Sequence, residues 1–80
     1  MDLLLAIKEF CDKLIEYDFY PKRKKPSLGK LEKMADQCIK GKFQKLERFI
    51  PSNATEEQVL ELKTLIDKIR EVVYNETNNE

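Results

Sequence analysis

Apolar residues recur at intervals of three and four along most of this chain, and two proline-marked interruptions divide the pattern into three segments. Such spacing places apolar side chains on one face of an amphipathic helix. Short connections force neighbouring helices to run in opposite directions. We therefore predict an all-α fold, an antiparallel three-helix bundle with helices over about 2–19, 27–50 and 55–75.

The first predicted helix ends before Pro21, because proline disfavours helical geometry in the residue that precedes it. The second begins at Ser27, a good N-cap residue. Its apolar phase continues through Gly41 to Ile50, which favours one long helix. The alternative is that Gly41 ends this helix as a C′ residue, which would give four helices.

The third predicted helix has a capping box in the stretch ATEEQV, with Thr55 at the N-cap and Gln58 three residues later. Its a/d stripe, from Val59 to Val73, is continuous enough to pack within the bundle or against a second copy. The chain is accordingly predicted to be a monomer or a homodimer. The 80 residues form one domain, in which 76–80 is a frayed polar tail.

The predicted core follows from the three apolar stripes. It comprises Ile7, Cys11, Leu14, Leu31, Ala35, Ile39, Leu46, Leu62, Ile66 and Ile69. A core of this size is close to the lower limit for an independently folding domain.

The net charge of zero conceals three blocks of opposite sign. Residues 1–18 carry five acids and two bases, 19–48 carry ten bases and three acids, and 49–80 carry seven acids and three bases. Segregated charge of this kind indicates either recognition of a partner or packing between oppositely charged segments of the chain.

The basic block supplies the candidate binding residues. Four of them form an unbroken run between two prolines, and the others are polar positions that lie away from the apolar stripe of the second helix. They are Lys22, Arg23, Lys24, Lys25, Lys30, Lys33, Gln37, Lys40, Gln44 and Arg48. The run resembles both a nuclear-localisation signal and a phosphate-binding loop, and its alternative interpretation is a solvated linker.

Catalysis is not predicted. The chain has no histidine, which excludes Ser-His-Asp and Cys-His nucleophiles and every histidine-based metal site. We predict no cofactor, no metal and no enzymatic activity. The absence of a long apolar stretch predicts no membrane span and a cytoplasmic location, where Cys11 and Cys38 would be reduced.

Two family resemblances bear on function. One is to the Hha/YmoA-type nucleoid-associated modulators, in the stretch LERFI followed by NATEEQVLELKTLID. The matching positions are Leu46, Glu47, Arg48, Thr55 and Asp67. That resemblance implies a small helical protein that binds a histone-like DNA-silencing partner. The stretch KLEKMADQCIKGKFQKLERFI is similar to the helical-bundle immunity proteins of pediocin-like bacteriocins, which implies an immunity function.

These observations predict a small non-catalytic protein–protein interaction module, of a regulator, inhibitor or immunity type, whose partner carries an acidic patch. The alternative is a nucleic-acid-binding or nucleoid-associated regulator that uses the basic run at 22–25 and the basic face of the second helix.

Overall fold

The computed structural model describes residues 3–20 and 26–78, with side chains described as far as residue 75. Four helices lie in these ranges: α1 (Leu3–Glu16), α2 (Leu28–Ile39), α3 (Gln44–Glu47) and α4 (Glu56–Asn78). More than half of the chain is therefore helical, and the described residues contain no strand. The predicted all-α bundle is confirmed, in its four-helix form.

α1 ends three residues earlier than predicted, and Pro21 is not the cause. Asp18 adopts a left-handed conformation, with φ of 67°. The amides of Asp18 and Phe19 donate to the carbonyls of Ile15 and Leu14, at 3.0 and 2.8 Å. This pair of hydrogen bonds is a Schellman motif, which satisfies the last carbonyls of a helix while turning the chain away from its axis.

α2 ends by the same motif at Gly41, which has φ of +81°. The Gly41 amide donates to the Cys38 carbonyl at 2.9 Å, and the Lys42 amide donates to the Gln37 carbonyl at 3.0 Å. The prediction of a single helix over 27–50 is therefore wrong. That prediction extended the apolar periodicity through Gly41, whereas the left-handed conformation of this glycine turns the chain in a new direction.

Side-chain contacts between the elements define the direction of each one. Lys68 of α4 pairs with Glu9 of α1, whereas the earlier Glu61 pairs with the later Lys13, so α1 and α4 are antiparallel. The Lys30 ammonium lies 5.8 Å from the centre of the Tyr20 ring, which places the start of α2 beside the end of α1. Since α2 also packs along α1, the two helices are antiparallel.

The segment from 42 to 50, which contains α3, runs back along the bundle. Its beginning lies beside the second half of α4, where Arg70 is 4.9 Å from the centre of the Phe43 ring. Its end lies beside the end of α1, where the Tyr20 and Phe49 rings are 5.9 Å apart. This return explains how α2 and α4 can run in the same direction.

α4 begins as predicted. The Gln58 amide donates to the Thr55 hydroxyl at 3.1 Å, and the Gln58 side-chain carbonyl accepts from the Thr55 amide at 3.0 Å. The capping box is therefore confirmed. The helix extends to Asn78, three residues past the predicted end.

The core lies between α1, α2 and α4, and α1 packs most extensively on α4. Eight of the ten predicted core residues are buried and Leu31 is half-buried. The prediction that Ile39 is buried is wrong, because 52% of its surface is exposed. The core face of α2 is instead formed by Leu31, Met34, Ala35 and Cys38.

The stripe of α4 is used inside the bundle. Val73 is buried and Val59 is half-buried. None of the helices over 3–20 and 26–78 combines the length and the apolar character that a membrane span requires.

Candidate functional site

A surface groove lies between α2 and the returning segment 42–49, with a volume of about 400 Å³. Its floor is apolar and consists of Met34, Cys38, Leu46 and Phe49. Its rim carries Lys30 and Lys33 on one wall and Lys42, Lys45 and Arg48 on the other. We call this feature the cationic groove. Gln37 completes its lining.

Helical periodicity places the polar residues of the first wall in line. Lys30, Lys33 and Gln37 follow one another at intervals of three and four along α2, so their side chains lie on one face. The Ser27 hydroxyl accepts from the Lys30 amide at 3.3 Å and thereby anchors the start of this helix.

The second wall follows the turn at Gly41. Its first amides bond three residues back, from Lys45 to the Lys42 carbonyl at 3.2 Å and from Leu46 to the Phe43 carbonyl at 2.9 Å, and the Arg48 amide bonds four residues back, to the Gln44 carbonyl at 3.2 Å. Side chains three residues apart lie on the same face in either kind of winding. Lys42, Lys45 and Arg48 therefore lie together beside the floor.

The cations of the groove have no carboxylate among them. No carboxylate belongs to the lining. Among the residues that the structure describes, Lys33, Lys42, Lys45 and Arg48 form no ion pair. Lys40, by contrast, pairs with Asp36 at 3.2 Å on the outer surface of α2.

Gln37 contributes a desolvated polar group. Its side-chain Oε1 atom is buried and accepts no hydrogen bond within the described ranges. A buried acceptor that lacks a donor costs about 1–3 kcal/mol.

The thiol in the floor is not activated. Cys38 is almost fully buried, with 1% of its surface exposed. Burial raises its pKa to about 11, so the thiol is protonated at neutral pH. It therefore contributes apolar surface rather than a nucleophile. In the described part of the chain, no cluster of three or more Cys, Asp or Glu residues could hold a metal ion.

The structure brings together four of the predicted site residues: Lys30, Lys33, Gln37 and Arg48 all line the groove. Lys40 and the exposed Gln44 lie outside its lining. The basic run over 22–25 lies outside the described residues, and its role stays a prediction.

Sequence reasoning missed Lys42 and Lys45 as site residues, and it missed the apolar floor. Only the break at Gly41 brings these residues opposite α2. Gly41 was the available sequence signal, because glycine is the commonest residue at the C′ position, where a helix ends.

Comparisons of this chain with protein-family models, with curated proteins and with solved structures gave no match. The two resemblances noted above therefore stay predictions.

Proposed function

We propose that this protein is a small non-catalytic interaction module that binds an acidic segment of a partner protein in the cationic groove. The observation that carries the proposal is the arrangement of five cations around an apolar floor with no carboxylate in the lining. Cations that lie close together without acids between them repel one another. Binding of an anionic partner relieves this repulsion and is therefore favourable.

Such a cluster acts first on the rate of encounter. Clefts lined by one sign of charge attract oppositely charged partners and disfavour wrong ones. The net charge of the whole protein is zero, so this attraction is local to the groove and depends on how the partner is oriented. A regulator, an inhibitor or an immunity protein would each benefit from that selectivity.

The apolar floor favours a protein partner over nucleic acid. Phosphate contacts need only cations and polar groups. Met34, Leu46 and Phe49 supply apolar surface that a phosphate backbone would leave unused. Most of the cations are nevertheless unpaired, so a nucleic-acid-binding regulator is the second candidate.

A matched pair of double variants tests the proposal. Lys33→Gln with Lys45→Gln removes one cation from each wall of the groove. Lys8→Gln with Lys63→Gln makes the same change in net charge at exposed positions of α1 and α4. The probe is a fluorescently labelled glutamate-rich peptide, titrated at physiological salt concentration.

We expect the groove variant to weaken peptide binding by about tenfold, equivalent to about 1.4 kcal/mol, and the control variant to change it by less than about twofold. Equal weakening by both variants would show non-specific attraction and contradict the proposal. A DNA oligonucleotide of the same net charge is titrated in parallel over a range of salt. Tighter binding of the DNA, lost steeply with salt, would favour the second candidate.

A further inference from the structure

The cationic groove has two charged walls and an apolar floor between them, and this cross-section restricts what can fill it. Lys30 and Lys33 stand on the α2 side, with Lys42, Lys45 and Arg48 opposite. A segment that binds there must therefore present carboxylates to both walls and an apolar group to the floor. Resting on the function proposed above, this constraint identifies the chemistry of the segment that binds.

Backbone geometry decides between an extended and a helical occupant. In an extended strand, the residues next to an inserted side chain point away from the groove, because successive side chains alternate. In a helix, residues three positions before and three after an inserted side chain lie on opposite sides of it. Only the helix offers both walls a carboxylate while one side chain points to the floor.

The dimensions agree with a short helical contact. From Lys30 to Gln37 the α2 wall rises about 10 Å, which corresponds to two turns of a helix. A volume of about 400 Å³ accommodates a single large side chain in an open groove. Met34 is an adaptable lining residue, since methionine adjusts to the shape of the group it contacts.

We propose that the cationic groove binds an acidic amphipathic helix of a partner protein, and that one bulky apolar side chain of that helix inserts between Met34 and Phe49. The carboxylates provide steering and register along the walls. The inserted side chain provides most of the affinity, as buried anchors do at protein interfaces.

The test uses two peptides of about three helical turns, each held helical by a hydrocarbon staple on its outward face. Both carry glutamates three residues before and three residues after the central position. The centre is tryptophan in one peptide and alanine in the other, so their charges are identical. We expect the tryptophan peptide to bind about tenfold more tightly or better.

Two variants of the protein locate the insertion. Met34→Gln makes the floor polar at nearly constant size. Ile39→Gln makes a comparable change on the same helix, at an exposed position outside the groove lining. We expect the first to reduce the ratio between the two peptides several-fold and the second to leave that ratio unchanged. Circular dichroism checks that both variants are folded.

The outcomes separate the two proposals. If the two peptides bind equally well and the groove cations matter, the function stands and the inserted anchor is refuted. If neither peptide binds, the function itself is refuted. Should Met34→Gln unfold the protein, the ratio between the two peptides on the unmodified protein still decides the question.

Discussion

The side-chain hydroxyl of Tyr17 donates a hydrogen bond to the Glu61 carboxylate and thereby joins the end of α1 to the first half of α4. The other carboxylate oxygen lies 2.9 Å from the Lys13 ammonium, which also pairs with Glu16 at 2.8 Å. The same ammonium lies 5.5 Å from the centre of the Tyr17 ring. One carboxylate thus holds Lys13 in the last turn of α1 and Tyr17 just after the helix end.

This cluster predicts a pH dependence of stability. The hydrogen bonds from Tyr17 and Lys13 lower the pKa of Glu61. A group whose pKa is lowered by folding stabilises the protein above its unfolded pKa, here about 4.5, and the effect is lost as pH falls through the folded value. The pKa of Lys13 is raised by hydrogen bonds to Glu16 and Glu61, so its contribution is lost only as pH rises beyond about 10.5.

We expect Glu61→Gln to lower the melting temperature by a few degrees at pH 7, and the difference from the unmodified protein to shrink as the pH falls below about 4.5 and to disappear below the lowered folded pKa. Thermal melts between pH 3 and pH 8 provide the measurement. Glu71→Gln is the control, because Glu71 is exposed and forms no ion pair among the described residues. A pH-independent loss in Glu61→Gln would refute this explanation.

Replacement of each glycine by alanine should change the free energy of unfolding in opposite directions. Gly41→Ala should destabilise the protein by about 1–2 kcal/mol, because a side chain is strained at a φ of +81°. Beyond its two chain neighbours, nothing lies within 4 Å of the added Cβ, so the cost comes from the backbone conformation. Gly29→Ala, within α2, should stabilise by about 0.5–1 kcal/mol. Chemical denaturation measures both, and equal effects would contradict the helix end at Gly41.

Removal of the capping box should weaken the start of α4. Thr55→Ala is expected to cost about 1 kcal/mol, because the Gln58 amide loses its acceptor. The control is Thr64→Ala, where an exposed hydroxyl bonds only to the Leu60 carbonyl within the same helix. That change should be neutral or slightly stabilising, since alanine has the higher helix propensity. Urea denaturation compares the two, and a larger loss in Thr64→Ala would contradict the assignment.

Differences in burial along α4 predict a large contrast in the stability cost of replacing its apolar residues with alanine. Ile66 is buried, with 2% of its surface exposed, whereas Leu60 is 69% exposed. Ile66→Ala should cost about 2–5 kcal/mol, and Leu60→Ala less than about 0.5 kcal/mol. Urea denaturation again measures the difference. Similar costs for the two changes would show that α4 packs through another face.

The two cysteines should react slowly in the folded protein. Burial is the main cause that raises the pKa of both Cys11 and Cys38 to about 11. Since the thiolate is the reactive form, an alkylating reagent at pH 8 should modify either residue far more slowly in the folded protein than in denaturant. Rapid modification of Cys38 in the native protein would mean that the floor of the cationic groove opens.

Much of the helical architecture could be predicted because its signals are local. Ser27 caps α2 and Thr55 caps α4 through atoms three residues away, so a short stretch of sequence contains both partners. The apolar stripes of α1 and α4 likewise indicate which faces of these helices are buried. The candidate site was predicted in part, as Lys30, Lys33, Gln37 and Arg48.

By itself, the sequence determined where α1, α2 and α4 begin, which faces of α1 and α4 form the core, and that positive charge is concentrated between residues 19 and 48. Only the tertiary structure decided between a continuous helix and a break at Gly41. The apolar phase fits both, so the choice depends on contacts distant in sequence, such as Phe43 with Arg70 and Phe49 with Tyr20. That choice exposes Ile39 and brings the two charged walls together, which is why the groove could not be read from the sequence.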